Sequence, residues 1–274
     1  MNNNMKKSIS IQKVLRRLMI SCALIFSLTS CQTYHETNAL TIGTKVEECF
    51  IKNLAHLEEE ILPVEISIDT PVAAPQPLKD SLTLFLNETL YAFFDDGNSC
   101  HLPFETVFSK EVKQLAKHYK EAYKPYYNAD NTDVRDFNYD CLDVKLATQN
   151  DIYVTYQVNS ILYGEGVETT SDWVTFVKSD GHRLKELITD DDMLRFYKEH
   201  PEQRNANIWE NVQYQLSDGG DIFLACNTGL LNDSVAHQYV YATGIFEDVV
   251  YPIDAILPYL SKEAQALIKE NSKK

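Results

Sequence analysis

Glycine and proline are scarce, nine of each in 274 residues. That excludes collagen-like and linker-like chains, which need far larger shares of both. Cations are outnumbered, 25 Lys+Arg against 40 Asp+Glu. Binding to a phosphate backbone rests on Lys/Arg neutralisation, so nucleic acid is excluded as a partner. No apolar run reaches the ~20 residues that a membrane-spanning helix needs. HExxH, P-loop and GxSxG sequences are absent, and no GxGxxG follows a strand-like segment, which removes the common signatures of zinc hydrolases, nucleotide binders and serine hydrolases. The six cysteines lack CxxC or Cys/His spacing, so no structural zinc site is expected. No cofactor is expected either.

The first thirty residues are the most informative. Lys6, Lys7, Lys13, Arg16 and Arg17 precede an apolar stretch from Leu18 to Leu28, with no acid among them. This is the grammar of a secretory leader, residues 1–30. It ends in Leu28-Thr29-Ser30-Cys31, which resembles the bacterial lipobox: cleavage after Ser30, then diacylglycerol on the Cys31 thiol. By the sorting rule of such proteins Gln32, not being Asp, implies the outer membrane in a diderm host. Several acyl chains on one residue exceed the single-chain limit of marginal binding, at ~0.8 kcal/mol per buried methylene. The expectation is an exported protein anchored to the cell envelope through lipid. Residues 31–40 read as a polar tether.

Without the leader the chain has 244 residues with 20 Lys+Arg against 40 Asp+Glu, a formal charge of −20. Such a body is repelled by anionic headgroups and attracts cationic partners. Sixteen tyrosines and twelve phenylalanines supply material for a core and argue against disorder. Cys22 leaves with the leader and Cys31 is acylated, so Cys49, Cys100, Cys141 and Cys226 remain. Four thiols in an exported chain allow three pairings, and buried free thiols are the alternative.

Strands are expected at Thr41–Ile51 and Pro63–Ile68, and the prolines within Asp69–Pro77 are expected to break the pattern. Apolar residues at three-to-four spacing predict helices from Leu78 to near Asp95 and over Phe104–Tyr123. Phe137–Thr148, Ile152–Tyr163 and Asp172–Lys178 are rich in β-branched and aromatic residues, with Tyr153, Thr155 and Gln157 sharing a face. They read as neighbouring antiparallel strands. Ser179-Asp180-Gly181 has turn chemistry. Thr189-Asp190-Asp191-Asp192 reads as a helix cap with first-turn carboxylates in preference to a calcium site, since the EF-hand spacing is missing. Strands at Asp221–Asn227, Gln238–Thr243 and Phe246–Tyr251 and a helical tail over Asp254–Asn271 complete the pattern. The class is α+β: antiparallel sheets with packed helices.

The order Tyr156-Gln157-Val158-Asn159, a glycine loop, Trp173-Val174-Thr175-Phe176, then Asp180-Gly181 and a short helix resembles the RsiV-like domain family of bacterial envelope proteins. The closing Val250-Tyr251-Pro252-Ile253-Asp254-Ala255-Ile256-Leu257-Pro258-Tyr259-Leu260-Ser261 is similar to that family's last strand and helix. The resemblance covers roughly Phe137–Ile268. It implies a two-part architecture, 41–165 and 166–269, and a sensing or binding role: the family includes the extracellular part of an anti-sigma factor that senses lysozyme, and related modules accompany a peptidoglycan deacetylase without being its catalytic domain. Members often carry a Gly-Gly-Ala-His loop where this chain has Gly164-Glu165-Gly166, so the family's loop histidine is missing.

Two functional readings follow. The first is a non-catalytic module for a cationic envelope protein or a peptidoglycan ligand, with Gly164, Glu165, Gly166 and Trp173 as the contact surface and Tyr153, Tyr156 and Tyr163 as either stacking platforms or core. The alternative is an envelope hydrolase acting on glycan or peptide through paired carboxylates. Asp95-Asp96 and Asp218 sit in turn contexts that explain them locally. His118, His182, His200 and His237 lack ligand spacing and read as surface or satisfied core residues. No catalytic residue is assigned.

Overall fold

The computed structural model describes residues 40–52, 60–94, 103–123, 140–163, 167–203, 209–210, 213, 227–240 and 246–273. Five strands form one sheet in the order β1-β2-β3-β4-β5: β1 Thr41–Lys52, β2 Glu60–Ala73, β3 Asp140–Gln149, β4 Tyr153–Tyr163 and β5 Val167–Val177. Three more, β6 Thr228–Leu230, β7 Ser234–Val240 and β8 Phe246–Pro252, form an antiparallel sheet. Helices α1 Gln76–Phe94 and α2 Phe104–Tyr123 follow β2. Helix α3 Asp190–Glu199 follows β5, and a short α4, Ile253–Ile256, and α5 Lys262–Asn271 close the chain.

The α+β class holds, with one difference in the sheet. β2 and β3 run parallel while the other pairs are antiparallel. A parallel neighbour needs a crossover of a dozen or more residues, and α1 and α2 lie in that crossover. Pro71 also sits inside β2, where the sequence suggested a break. β3 pairs with β2 only as far as Ile68, so among the described residues the β2 backbone beyond that point is laddered to β1 alone. Proline is tolerated at such an edge because no ladder donor is needed there.

Asn38–Lys274 forms one unit, and the expected boundary at 165/166 falls inside the β4–β5 hairpin. Two cores are present, but they lie on the two faces of one sheet instead of in two halves of the sequence. Val154, Tyr156, Val174 and Phe176 join α1 and α2 residues such as Leu82, Phe85, Val107 and Phe108 in the first core. Tyr153 and Val177 join Leu187, Phe196, Leu230, Val235, Tyr251 and Ile268 in the second. The period-two alternation of β4 and β5 makes this sharing possible. Tyr153 and Tyr156 are both 0% exposed, so they are core and not platforms.

The last residue of the expected tether belongs to the fold. Leu40 is buried in the first core, and its carbonyl accepts a bond from Gln149 Nε2 at 3.3 Å. Gln149 Oε1 in turn accepts from Lys178 Nζ at 3.3 Å.

Local readings hold at several turns and caps. The Thr189 side chain caps α3 by accepting the Asp192 N–H at 3.1 Å, and Asp192 pairs with Arg195 at 3.0 Å. Asp180 Oδ1 accepts the His182 N–H at 3.1 Å. Between them Gly181 adopts φ +76°, and a Cβ there would lie 2.3 Å from the Pro77 carbonyl oxygen. The helical tail is broken in two, with Ser261 capping α5 through the Ala264 N–H.

Two of the histidines sit at the surface, each against carboxylates. His182 Nδ1 and Nε2 each lie 2.6 Å from a carboxylate, Asp180 and Glu263, on opposite sides of the ring, so the trio cannot converge on a metal ion. His200 Nδ1 faces Glu202 at 3.2 Å. His237 is 0% exposed on β7, and burial pushes its pKa down to about 3. It is therefore neutral in the fold, while the unfolded chain takes up a proton near 6.5. Its contribution is whole above 6.5 and is lost as pH falls from there toward 3, at about 1.4 kcal/mol per unit. Urea unfolding of the wild type and His237→Gln between pH 7 and pH 4 should show a steeper loss for the wild type; parallel curves would refute the assignment.

Candidate functional site

β5 is the last strand of its sheet among the described residues, and the site forms where those residues cover its outer edge only in part. The chain turns back after Gly181 and pairs with β5 through one bridge, Phe176 with Arg183. The Val177 N–H donates to the His182 carbonyl and the Leu184 N–H to the Thr175 carbonyl, both at 2.9 Å. The segment then leaves the strand because Leu187 and Ile188 are drawn into the second core, where the Leu187 carbonyl accepts the Ser261 N–H at 2.8 Å. The divergence opens a cleft of about 630 Å³, lined by Asp172, Trp173 and Thr175 of β5, by Arg183–Ile188 and Asp190, and by Asn227 and Thr228.

The far wall is fixed by a ring of buried hydroxyls. Thr155 and Thr175 are register partners across β4 and β5, and their Oγ1 atoms lie 2.9 Å apart. Thr155 donates to the Leu230 carbonyl at 2.5 Å, and Thr175 accepts the Leu230 N–H at 3.1 Å. Since Thr155 has spent its one proton on a carbonyl, Thr175 donates to Thr155. Each hydroxyl gives once and accepts once. Both backbone groups of Leu230 are satisfied by side chains of the facing sheet.

This docking sets Trp173. Gly229 lies against it so closely that a Cβ would fall 2.7 Å from Trp173 Cβ, so any larger residue on β6 would force the two sheets apart. Trp173 is half-buried, and its Nε1 is buried with no acceptor among the described residues. Asn227, at the lip, has φ +54°, a left-handed conformation that asparagine tolerates better than most residues.

Asp172 faces the other way along β5. Its Oδ1 accepts the Trp173 N–H at 2.8 Å. Burial raises its pKa above the ordinary carboxylate value, while Arg183 and the backbone bond pull it back. Asp172 and Arg183 also line a second groove of about 390 Å³ between α1 and the sheet, with Phe85, Phe93, Leu142 and Val158. The Arg183 guanidinium stands 6.0 Å over the Phe85 ring there. The pair thus stands between the two openings.

Of the residues singled out from sequence, Trp173 lines the cleft. Ser30, Cys31, Gly164, Glu165 and Gly166 lie outside the described residues, as do Cys100, Cys226, Asp95, Asp96 and Asp218, the expected strand at 221–226 and the side chains of Cys49, His118 and Tyr163. Cys49 pairs in register with Val64 on β2, and Cys141 lies on β3 opposite Glu65. Two strand spacings of ~4.8 Å separate β1 from β3, more than a disulfide spans. The pairing of Cys49 with Cys141 is thereby excluded. Asp172, Arg183, Asn227 and Thr228 were missed because no spacing announces them. The φ of Asn227 and the closeness of Gly229 are set by tertiary contacts.

No protein-family model matches the chain, and no curated protein matches it. Among solved structures, a member of the DUF3298 family from Bacteroides fragilis NCTC 9343 superposes with a TM-score of 0.61 at 18% identity, over 87% of this chain and 99% of that one. A DUF3298 family protein from Pseudomonas aeruginosa PAO1 gives a TM-score of 0.47 at 14% identity, over 83% and 97%.

The hydroxyl ring can be tested by substitution. Thr155→Val and Thr175→Val should each lower the unfolding free energy by about 1–3 kcal/mol, the first because it strands the Leu230 carbonyl and the Thr175 proton, the second because it strands the Leu230 N–H and removes the bond that Thr155 accepts. The double variant should lose less than the sum, since no hydroxyl is then left stranded; strict additivity in urea titrations would refute the ring. At the level of fold, the chain has the architecture of the Bacteroides fragilis DUF3298 protein.

Proposed function

We propose that the chain is an exported, lipid-anchored module of the bacterial envelope that binds a protein or cell-wall ligand and performs no chemistry of its own. The cleft beside Trp173 is the observation that carries the binding half of this reading. It joins an aromatic wall to amide, hydroxyl and guanidinium groups, the combination by which sites hold and orient ligands. Its perturbed carboxyl, Asp172, is committed to the Trp173 N–H, which suits a fixed acceptor better than a mobile acid. The leader and Cys31 support the anchor. The RsiV-like resemblance of Phe137–Ile268 supports the compartment and the sensing or binding role. The outer membrane is the address in a diderm host, and the formal charge of −20 on the mature body favours cationic protein partners.

The anchor is tested with Cys31→Ser. The variant should leave the membrane fraction and lose the acyl mass from its N-terminal peptide; membrane retention with an unmodified peptide would sink the lipid assignment. Binding is tested by titrating the purified mature chain with lysozyme and with insoluble peptidoglycan at low and physiological salt. At least one should be retained, lysozyme with strong salt dependence. Retention of neither refutes the module, and release of soluble fragments from peptidoglycan would favour the hydrolase reading.

A further inference from the structure

The cleft's own chemistry narrows its ligand, on the reading that it is a binding site. Its charged lining groups are nearly balanced, Arg183 and Lys185 against Asp172, Glu186 and Asp190. It therefore lacks the one-signed field that would select a phosphate or a polyamine. It also lacks the continuous apolar wall that an acyl chain requires: besides Trp173 its apolar lining is Leu184, Leu187 and Ile188, whose side chains are held in the second core, and Thr175, Thr228 and Asn227 are polar. What remains suits a molecule with many hydroxyls and no net charge. Such a molecule offers C–H faces to an indole and vicinal oxygens to carboxylate, amide and guanidinium groups, which between them supply acceptors and donors in fixed directions. The volume of about 630 Å³ falls within the range of small-ligand sites.

Two further observations point to the same place. The Trp173 Nε1 is buried without an acceptor among the described residues, a state that destabilises the fold and that phenylalanine would avoid. Asn227 holds a left-handed backbone at the lip, where glycine would be the relaxed choice. Both side chains are costlier to the fold than simpler ones, and both line the cleft. Unusual conformations of this kind cluster at ligand clamps.

We infer that the cleft at the β5 edge takes a short, uncharged saccharide, with Trp173 as its apolar wall and Asp172, Arg183 and Asn227 as its polar rim. Trp173 and Asn227 then set affinity, and Gly229 holds the indole in place by letting β6 approach.

Isothermal titration of the mature, lipidated chain in detergent micelles tests this, with N-acetylglucosamine tetrasaccharide and maltotetraose as probes. At least one should bind saturably, with an affinity that changes little between physiological and high salt. Trp173→Phe should weaken it about tenfold or more, as loss of an aromatic anchor does, without lowering the urea midpoint. Asn227→Gly relaxes the backbone and removes only the amide, so it keeps the test open should the tryptophan variant fold poorly; it should weaken binding several-fold. Absence of binding to both sugars overturns the inference, as does binding with a steep salt dependence or binding that neither variant alters. If the sugars fail while lysozyme is retained, the binding module stands and only its saccharide cleft is lost. If lysozyme and peptidoglycan are also not retained, both fall.

Discussion

The arrangement depends on two buried threonines. Thr155 and Thr175 face each other across β4 and β5 and together take both backbone groups of Leu230. A three-residue strand such as β6 contributes little burial of its own, and its polar backbone must find partners when it is set on another sheet's face. The hydroxyl ring supplies them. With Leu230 fixed, Gly229 is pressed on Trp173 and Asn227 is held at the lip, so the cleft wall is a consequence of the docking and not a separate construction. Replacing either threonine by an isosteric apolar residue would preserve shape but remove what specifies where β6 lies.

The same two strands are the shared wall of both cores. Tyr153 and Thr155 face the second sheet, Val154 and Tyr156 face α1 and α2, and each face is satisfied differently. The helical side is filled by aliphatic and aromatic packing, including Phe85 at 5.4 Å from Phe176 and 6.0 Å from Tyr156 between ring centroids. The other side has an aromatic core of its own, with Phe196 in edge contact with Tyr251 and Tyr259, and adds polar pairs that fix direction. Packing of this kind tolerates small shifts at modest cost, whereas a closed hydrogen-bond ring does not. The cleft lies on the side that tolerates less movement.

Much of the scaffold was legible in the sequence for reasons that stay local. The stripe Val107, Phe108 and Val112 makes α2 an amphipathic helix wherever it packs, and Thr189 with Asp192 caps α3 by chemistry confined to one turn. The alternation in β4 and β5 was equally plain. The parallel β2–β3 pair was not, because pairing direction depends on where a crossover returns the chain, and the two helices between those strands are the only sign of it. β6 is three residues long, below any periodic signal. The cleft residues come from β5, the loop after it and the start of β6, spread from Asp172 to Thr228, so only folding brings them together. Trp173 could be singled out as an aromatic on a strand, but nothing in its neighbours foretold the glycine that seats it.

Charge acts on this protein at two ranges, and the two need not agree. The formal charge of −20 over residues 31–274 creates a field felt over about a Debye length, ~8 Å in physiological salt, and that field sorts approaching molecules by sign before any contact is made. Inside the cleft the acids are offset by Arg183 and Lys185, so contact there is decided by direction and shape. A cationic protein responds to the first range and an uncharged saccharide only to the second. The proposed lipid anchor would be compatible with both, because it would supply the membrane attachment that an acidic surface opposes and leave the surface charge free to select partners. Raising salt would erase the long-range preference and leave the cleft's untouched, which makes ionic strength the variable that separates the two proposed modes of recognition.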